Sequence, residues 1–407
     1  MYIVIVYYLN SYMATLIGTG ISTRLDSFTA GKEAALSAYH QIGRNDPGIA
    51  IVFISTIFDQ ELVLQGIRSI IKDPKLIGCS SAGSISTYGP KRDSVAVFII
   101  SSDSIEFTCG IGREISKNSR LAGHKASKQA SDSAHKPKQA YVLFSDSFSG
   151  NSTNILRGAQ ETLGTSFPII GGGSCNTECT KKTYQYIGSE IKTDSVAGVL
   201  FSGDIKLGMG QSSGWQPIGK PHKITKARFN IIKEIDKKIA VELYQEYFEK
   251  PFEELQKERI CKLGISYPIG LRWPGDSKKY LTRVPLMTED AGSLVMNGDV
   301  QEGQDINLMM GDKEAVLESA KEAASEAIGN IKGYKIKFAV IFSDIARLLL
   351  LRKDAHKEID LIKEIIGKNT PILGCYTFGE YAPFDISESK GQSHFNNQGI
   401  SIALFSE

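Results

Sequence analysis

The chain has 407 residues and a nearly balanced charge, with 47 basic and 45 acidic side chains and a net charge of +2. Hydrophobic residues make up 42% and charged residues 23%, as in soluble globular proteins, and this length exceeds one ordinary core, so we expect two domains. No basic block is present, which argues against a nucleic-acid partner, and no apolar run reaches the ~20 residues of a membrane span.

The chain opens on the apolar segment MYIVIVYYL, residues 1–9. This segment is too short to cross a bilayer and lacks both a basic flank and a small-residue cleavage site, so we expect a cytoplasmic protein without a membrane partner. Met13 is an alternative start of translation. Six cysteines are spread along the chain, which favours reduced thiols over a disulfide framework.

A unit of strands and helices recurs along the sequence. Residues 49–112 contain IAIVFIS, KLIGCSSAG and DSVAVFIISS, and residues 139–213 contain AYVLFSD, PIIGGGSCN and DSVAGVLFSG in the same order. A weaker third copy over 336–405 contains FAVIFSD, PILGCYTFGE and GISIALFS. We therefore predict a duplication in the first part of the chain and the same order of elements near its end.

Each unit begins with a short, continuous apolar run such as YVLF, which is typical of a buried strand. A helix follows, and in the third copy Ile359, Ile362 and Ile366 form one apolar stripe along it. A second strand then ends in a turn that contains glycine. These turns are predicted at Gly78-Cys79, Gly171-Gly172 and Gly374-Cys375.

A crossover helix between two strands favours parallel pairing, whereas the short links after the turns favour antiparallel pairing. The predicted fold class is therefore α/β (mixed α+β), with repeated strand–helix–strand units, mixed sheets flanked by helices, and two domains.

The segments between the copies have different patterns. Residues 113–138 are basic and polar, which predicts a solvated helix and loop. Residues 223–250 include a helical pattern that Pro251 ends. Residues 262–311 indicate short strands with turns, and Asp312 is placed to cap the helix that follows them.

Two common ligand motifs are incomplete in this sequence. GWQPIGK, residues 214–220, matches a phosphate-binding loop up to its lysine, but Pro221 stands where serine or threonine would hold magnesium. Cys175 and Cys179 have no second pair at zinc spacing, and the six histidines form no metal-binding pattern. We therefore expect neither a metal nor a cofactor.

Cys79, Cys175 and Cys375 follow the glycine motifs, at strand ends where reactive groups of α/β proteins often lie. A catalytic thiol needs a base or a positive field to ionise, and no histidine occupies a matching position in the three units. The favoured interpretation is a small buried side chain at a tight turn, and catalysis by Cys79 or Cys375 is the alternative.

Charged residues at strand ends are stronger candidates for a ligand site. Asp146 and Asp344 each follow a predicted strand, Glu380 follows a glycine, Arg347 lies one short turn beyond Asp344, and Arg283 lies in the predicted strand YLTRVPL. A carboxylate and a guanidinium that face one cleft suit a ligand with opposite charges, such as an amino acid. Surface ion pairs are the alternative for each residue.

Together these motifs resemble the FIST family, in which a FIST N module precedes a FIST C module. GCSSAG (78–83), IAIVFIS, YVLFSD, PIIGGGS and DSVAGVLFSG carry the resemblance to the first module, and YLTRVPL, VQEG, VIFSDIAR and PILGCYTFGEYAP (371–383) carry the resemblance to the second. The resemblance implies a FIST N-like domain over 20–235, which contains the duplication of 49–112 and 139–213, and a FIST C-like domain over 236–407.

The resemblance further implies a cytoplasmic small-molecule sensor of signal transduction, with amino acids as proposed ligands, a signalling protein as partner and no catalytic activity. Ser84 stands where the first module usually carries glutamate, and Asp344 stands where the second usually carries cysteine. Glu380 is therefore the better-preserved acidic candidate. A cysteine-dependent enzyme and a protein-interaction scaffold are the alternatives.

The predicted ligand site combines strand-end carboxylates, two arginines and the glycine motifs. Its residues are Gly374, Cys375, Tyr376, Gly379, Glu380, Arg347, Arg283, Asp344, Cys79, Ser80, Ser81, Asp146, Gly172 and Ser174. Glu380 and Tyr376 are expected to line the ligand cleft of the second module, with Arg347 or Arg283 as the nearest cation. Cys375 is expected to be buried and slow to react.

Overall fold

The computed structural model describes residues 15–43, 46–72, 75–176, 182–256, 259–274, 276–289, 291–384 and 391–407. The interpretations placed on Met1, Met13 and Cys179 lie outside the described residues.

The chain folds as three repeats of one unit, each of which begins with an edge strand and a helix. The first repeat consists of β1 (Leu16–Ser22), α1 (Ser27–Gln41), β2 (Ile49–Ile54), α2 (Gln60–Arg68), β3 (Leu76–Ser80), β4 (Gly83–Ser86), β5 (Gly89–Arg92) and β6 (Val95–Ser101). The second repeat has the same order: β7 (Ile105–Arg113), α3 (Ile115–Asp132), β8 (Lys138–Asp146), α4 (Ser152–Leu163), β9 (Ile169–Ser174), β10 (Gln185–Ile187), β11 (Glu190–Lys192) and β12 (Ser195–Gly203).

The third repeat is interrupted after its edge strand, β13 (Lys206–Ser212), by residues 213–312, which we call the inserted segment. The inserted segment contains β14 (Trp215–Arg228), β15 (Ile231–Ile235), β16 (Lys238–Ile239), α5 (Glu242–Phe248), α6 (Phe252–Leu255), α7 (Arg259–Ser266), β17 (Ile269–Trp273), β18 (Asp276–Arg283), β19 (Pro285–Thr288), β20 (Leu294–Met296) and β21 (Asp305–Gly311).

The third repeat then resumes with the elements that correspond to those of the first two. They are α8 (Lys313–Asn330), β22 (Ile336–Asp344), α9 (Ile345–Leu351), a 3₁₀ turn (Arg352–Asp354), α10 (Ala355–Ile366), β23 (Ile372–Thr377), β24 (Glu380–Pro383), β25 (Ser393–Asn396) and β26 (Ile400–Ser406).

Three six-stranded mixed sheets share one strand order. The orders are β1-β6-β2-β3-β10-β11, β7-β12-β8-β9-β24-β25 and β13-β26-β22-β23-β4-β5. The central pairs β2–β3, β8–β9 and β22–β23 are parallel, and the pairs on either side of them are antiparallel. The strands predicted near residues 51–54 and 141–144, which are β2 and β8, thus hold the same position in their sheets.

Each repeat donates a two-stranded hairpin to the sheet of a neighbouring repeat. The hairpin β4–β5 pairs with β23, β10–β11 pairs with β3, and β24–β25 pairs with β9. The exchange is cyclic, so every sheet contains strands from two repeats. The regions predicted as domains, 20–235 and 236–407, are therefore joined through two of these three sheets. The eight-stranded sheet of the inserted segment also contains strands from both regions.

Glycines in the edge strands let each strand pack directly on a helix of its own repeat. A Cβ added at Gly20, Gly112 or Gly210 would lie 1.9, 1.9 or 2.1 Å from a helix carbonyl oxygen. Only glycine permits so close an approach of strand to helix. The repeated glycines of the edge strands are thus packing positions.

The glycine motifs predicted as turns lie inside strands, so this prediction was wrong. Gly78, Gly171 and Gly374 belong to β3, β9 and β23. An added Cβ would lie 1.8, 2.0 or 2.2 Å from a carbonyl oxygen of the parallel partner strand, which explains the glycines without a turn. The turn of the third repeat falls later, at Gly379, which has a φ of 88°.

Two of the segments between the copies also differ from expectation. The helix α3 is not simply solvated, because Ala122, Ala126 and Ala130 are buried in a core cluster that includes α4. The predicted helix within 223–250 is shorter than its pattern indicates, since strands occupy the residues up to Ile239 and the helix begins at Glu242. Asp312 caps α8 as predicted, accepting a hydrogen bond of 3.0 Å from the Ala315 amide.

A core of strand residues fills the space between the three sheets, and helices pack on the outer faces. At its centre meet the rings of Phe53, Phe144 and Phe342, one from each repeat. Their centroids are 5.8, 6.5 and 5.9 Å apart, and all three contacts are edge to face, as aromatic pairs prefer. The predicted fold class, mixed sheets flanked by helices, is confirmed.

Truncation of one central ring should destabilise the whole protein. Phe342→Ala is expected to lower the free energy of unfolding by about 3–5 kcal/mol, because the cavity would lie where three sheets meet. Phe229→Ala, at a side chain that is 67% exposed, should change it by less than about 0.5 kcal/mol. Urea unfolding followed by circular dichroism measures both, and equal losses in the two variants would contradict the central role of the ring.

Candidate functional site

The ends of the central strands bring corresponding residues of the three repeats together beside the phenylalanine rings. Cys79, Gly172 and Cys375 lie in register with Phe53, Phe144 and Phe342. The donated hairpins place one residue opposite each of them, and we call these three residues the hairpin position. They are Gln185 opposite Cys79, Glu380 opposite Gly172, and Ser84 opposite Cys375.

The hairpin position makes a side-chain hydrogen bond in the first two repeats. Ser84 bonds to Ser94 at 2.8 Å, and Gln185 bonds to Ser195 at 2.7 Å. Both partner serines directly precede or begin the last strand of their repeat. Gln185 also bonds to Ser174 at 2.6 Å, so these polar groups are paired despite their burial.

The third repeat breaks this pattern, because glycine replaces the partner serine. Gly399 offers Glu380 only its backbone N–H, which donates to Oε2 over 3.2 Å. Among the described residues, none donates a hydrogen bond to Oε1 of Glu380, although the residue is only 1% exposed. A protonated Glu380 can bond to the side chain of Asp344, whereas an ionised Glu380 leaves Oε1 without a donor. A buried polar atom without a partner is unfavourable by about 1–3 kcal/mol.

The space of the missing side chain at Gly399 is taken by two polar groups. A Cβ there would lie 2.7 Å from Nε2 of Gln211 and 2.8 Å from Oε2 of Glu380. Within the described part of the chain, Nε2 of Gln211 also lacks a hydrogen-bond partner. The carboxylate of Glu380 and an unpaired amide donor of Gln211 therefore both lie beside Gly399.

Asp344 is the second buried carboxylate of this site, and we call Asp344 and Glu380 the acid pair. Asp344 accepts hydrogen bonds from the amides of Ala346 at 2.7 Å and Gly379 at 3.0 Å. Burial raises the pKa of Asp344, and these hydrogen bonds oppose the rise. Burial, followed by the charge of Asp344, raises the pKa of Glu380 well above its usual range. These surroundings thus favour a protonated Glu380.

The two predicted arginines take other partners. Arg347 is completely buried and forms an ion pair of 2.7 Å with Glu358, which is buried too. Its guanidinium also donates to the backbone carbonyl of Val316 at 2.7 Å. Arg347 thus pairs directly with Glu358 of α10 and not with Glu380, and the surface-pair alternative was wrong for it. Its charge still acts on Glu380, where it opposes the larger effect of burial on the pKa.

Arg283 lies on the inserted segment and holds that segment to β25. It donates to the carbonyls of Phe395 at 2.9 Å and Asp299 at 3.1 Å, and its guanidinium lies 5.7 Å from the Phe395 ring centroid. Burial lowers the pKa of Arg283 to about 10. Arg283 therefore has a structural role at this interface instead of a place beside Glu380.

Several other predicted residues form the frame of the site. Ser81 donates to the Tyr376 carbonyl at 2.7 Å, and Cys175 contacts the same carbonyl at 3.1 Å, so these residues join three repeats. The Ser80 hydroxyl accepts from the Tyr184 amide at 3.0 Å. Asp146 accepts from the Phe148 amide at 2.9 Å, which organises the turn after β8.

The glycine and cysteine positions lie closest to the centre. Cys79 and Cys375 are both fully buried, and burial, followed by a contact with Cys79, raises the pKa of the Cys375 thiol well above its usual range. Tyr376 is buried in the outer core of the third repeat instead of lining the site with Glu380. A Cβ added at Gly374 would lie 2.2 Å from the Ile341 carbonyl oxygen, and one at Gly379 would lie 2.4 Å from the Phe395 ring.

Sequence reasoning missed Gln185, Gly399 and Gln211. A signal for Gly399 was present, because the third copy has glycine where the first two have the serine of Asp-Ser-Val-Ala. The residue before this serine or glycine also corresponds in the three repeats. Asp93, Asp194 and Gln398 have left-handed φ values of 47°, 48° and 57°.

Comparison with protein families gives a direct assignment. Residues 48–238 match the FIST N domain, and residues 240–383 match the FIST C domain. The chain belongs to the FIST family. The resemblance inferred from the sequence, including the order of the two modules, is confirmed. FIST domains are sensory, ligand-binding domains of signalling proteins.

This FIST protein has relatives in Mycobacterium and Methanocaldococcus. An uncharacterized protein of Mycobacterium tuberculosis is 23% identical over 400 residues, which cover 96% of this chain and 99% of the relative. An uncharacterized protein of Methanocaldococcus jannaschii is 24% identical over 299 residues, which cover 68% of this chain and 57% of the relative. Within the described ranges, no helix of the FIST protein has the length and apolar character of a membrane span.

Solved structures show only weak similarity to this FIST protein. A cyanuric acid hydrolase from A. caulinodans aligns with a TM-score of 0.37 and 7% identity, over 97% of this chain and 99% of its own. A chorismatase aligns with a TM-score of 0.34 and 8% identity, over 97% of this chain and 98% of its own. Similarity this low does not bear on the activity of the FIST protein.

The burial of Cys375 leads to a prediction about its reactivity. A thiol reagent at neutral pH should label Cys375 far more slowly in the folded protein than in urea, because the thiolate is disfavoured and the side chain is inaccessible. Peptide mapping by mass spectrometry after timed alkylation measures this rate. Cys375→Ser should lower the free energy of unfolding by about 1–3 kcal/mol. Labelling as fast as in the unfolded chain would instead support a reactive thiol.

Proposed function

We propose that this FIST protein binds a small ligand through the acid pair, and that the ligand presents a hydrogen-bond donor to Glu380. One observation carries this proposal: Oε1 of Glu380 is buried without a donor among the described residues, where the first two repeats have paired side chains. A donor supplied by a ligand would satisfy this oxygen. Only the third repeat would gain a hydrogen bond in this way, because Ser84 and Gln185 already have side-chain partners.

An amino acid or a related amine suits this position. An ammonium group would donate to Glu380 and would stabilise the ionised carboxylate that burial disfavours. Nε2 of Gln211, on the other side of Gly399, is a donor for a carboxylate. An acceptor and a donor beside the same glycine suit a ligand that carries both charges.

Binding without catalysis is the activity that the surrounding groups support. The alternative, a cysteine nucleophile, is disfavoured at Cys375 because burial raises its thiol pKa. We propose that the bound state is transmitted to a signalling protein partner. The acid pair distinguishes this function from that of a scaffold, which would have no use for a buried carboxylate oxygen without a partner.

Replacement of Glu380 should weaken ligand binding selectively. A thermal-shift screen with the twenty common L-amino acids is expected to find at least one that stabilises the protein. Glu380→Gln should weaken the binding of that amino acid by about 10-fold or more, measured by calorimetry. This is the loss expected for a charge-assisted hydrogen bond of about 1.5–3 kcal/mol. Glu364→Gln, at an exposed position of α10, is the matched control and should bind normally. Failure of every amino acid to bind, or equal affinity in Glu380→Gln, would refute the proposal.

The acid pair also predicts how stability depends on pH. The folded state raises the pKa of Glu380 above the ordinary value of 4.5, so the folded state binds the proton more tightly than the unfolded state. The stabilisation is complete below pH 4.5 and is lost as the pH rises towards the higher folded-state pKa. Glu380→Gln cannot ionise, so its free energy of unfolding should rise relative to that of the original protein as the pH increases above 4.5. Parallel urea titrations at several pH values measure the difference, and a constant difference would contradict a raised pKa.

A further inference from the structure

An open cleft lies on the inserted segment, apart from the acid pair. It has a volume of about 610 Å³ and lies between the β17–β18 turn and residues 301–305. Arg272, Trp273, Gln301 and Gln304 are among the residues that line it. The volume is within the range of about 300–1,000 Å³ that is usual for small-molecule sites.

Trp273 presents a rigid aromatic surface to this cleft. Its ring packs against Phe384 with a centroid distance of 4.9 Å and against His394 with a centroid distance of 5.0 Å and an interplanar angle of 86°. Trp273 also lines the cleft and is only partly buried. A ring held by neighbours and open to a cleft is well suited to stack on a planar ligand, because little side-chain entropy remains to be lost.

Arg272 is the cation of the cleft that has no direct ion pair with any residue that the structure describes. Among the described residues, Arg272 forms no ion pair within 4.0 Å, and its Nε is buried without a hydrogen-bond acceptor. Asp305 pairs with Lys223 at 2.7 Å. Lys223, and to a smaller extent the nearby charge of Arg272, lowers the pKa of Asp305. The other two carboxylates of the lining are bonded as well, Asp276 to the Lys278 amide at 2.8 Å and Glu302 to the Ala227 amide at 3.3 Å.

We propose that this cleft is a second binding site, for a planar aromatic compound that carries a carboxylate. The ring would stack on Trp273, and the carboxylate would accept hydrogen bonds from Arg272. Guanidinium groups bind carboxylates through two parallel hydrogen bonds, which gives them orientation as well as affinity. The site does not depend on the acid pair, because it uses different residues on a different part of the chain.

Tryptophan fluorescence offers a direct test with the 407-residue chain. The chain has two tryptophans, and Trp215 is a core residue that is only 7% exposed, so Trp215→Phe leaves Trp273 as the one reporter. Benzoate is the probe. Benzamide, which keeps the ring and removes the charge, and cyclohexanecarboxylate, which keeps the charge and removes the aromatic face, are the two comparison compounds.

Benzoate should change the Trp273 emission in a saturable way, and each comparison compound should bind at least several-fold more weakly. Arg272→Gln, combined with Trp215→Phe, should weaken the binding of benzoate by about 10-fold or more, as expected for lost hydrogen bonds to a charged group. Arg228→Gln removes an exposed arginine of the inserted segment outside the lining of the cleft and should leave the affinity unchanged.

Three results would overturn the proposal: no saturable change with benzoate, equal affinity for benzoate and benzamide, or equal affinity in Arg272→Gln. If Trp215→Phe does not fold, ligand-observed NMR with benzoate on the original chain and on Arg272→Gln decides the same question. Saturation transfer to benzoate that is equal in the two proteins would then count against the site.

Discussion

The contact of Phe53, Phe144 and Phe342 is the constraint on which the rest of the structure depends. Each ring comes from the first central strand of one repeat, and each packs edge to face on the other two. One repeat alone cannot bury its ring in this way, because the inner face of its sheet is covered only by the other two sheets. The cyclic exchange of hairpins follows the same logic, since each sheet is completed by a neighbour. The interior therefore forms as one unit.

Such internal symmetry provides a reference against which single positions can be judged. In two repeats a serine bonds to the hairpin position, and this arrangement shows what a fully paired site looks like in this fold. In the third, Gly399 and Glu380 replace that pair with a carboxylate that keeps one oxygen unsatisfied. A chain that needed only stability would have repeated the serine, because an unpaired buried oxygen is unfavourable. The third repeat thus departs from the paired arrangement at the residue through which ligand binding is proposed.

Much of the fold was accessible from sequence, because buried strands and amphipathic helices leave periodic patterns that recur in all three repeats. The exchange of hairpins could not be predicted from the sequence. The pattern of a strand shows which of its faces is apolar but does not show which neighbouring strand it pairs with. Gly374 shows the same limit, because the sequence cannot tell a glycine that admits a neighbouring carbonyl from one that makes a turn. The motif identified Glu380 as a candidate site residue, but the sequence did not predict its burial beside Asp344 and Gly399. The sequence predicted an apolar stripe on α10. It did not predict that Glu358 of the same helix pairs with Arg347.

Glu380 lies close to the place where the second repeat, the third repeat and the inserted segment meet. Its strand belongs to the third repeat but pairs with β9 of the second. The following strand ends at Asn396, whose side chain accepts a hydrogen bond of 2.7 Å from the Thr282 amide of the inserted segment. Asn397, two residues before Gly399, bonds to Asn297 of the same segment at 2.8 Å. A group that entered beside Glu380 and Gly399 would therefore act on a turn held from both sides. A change in the charge of Glu380 would therefore act where the repeats and the inserted segment contact each other.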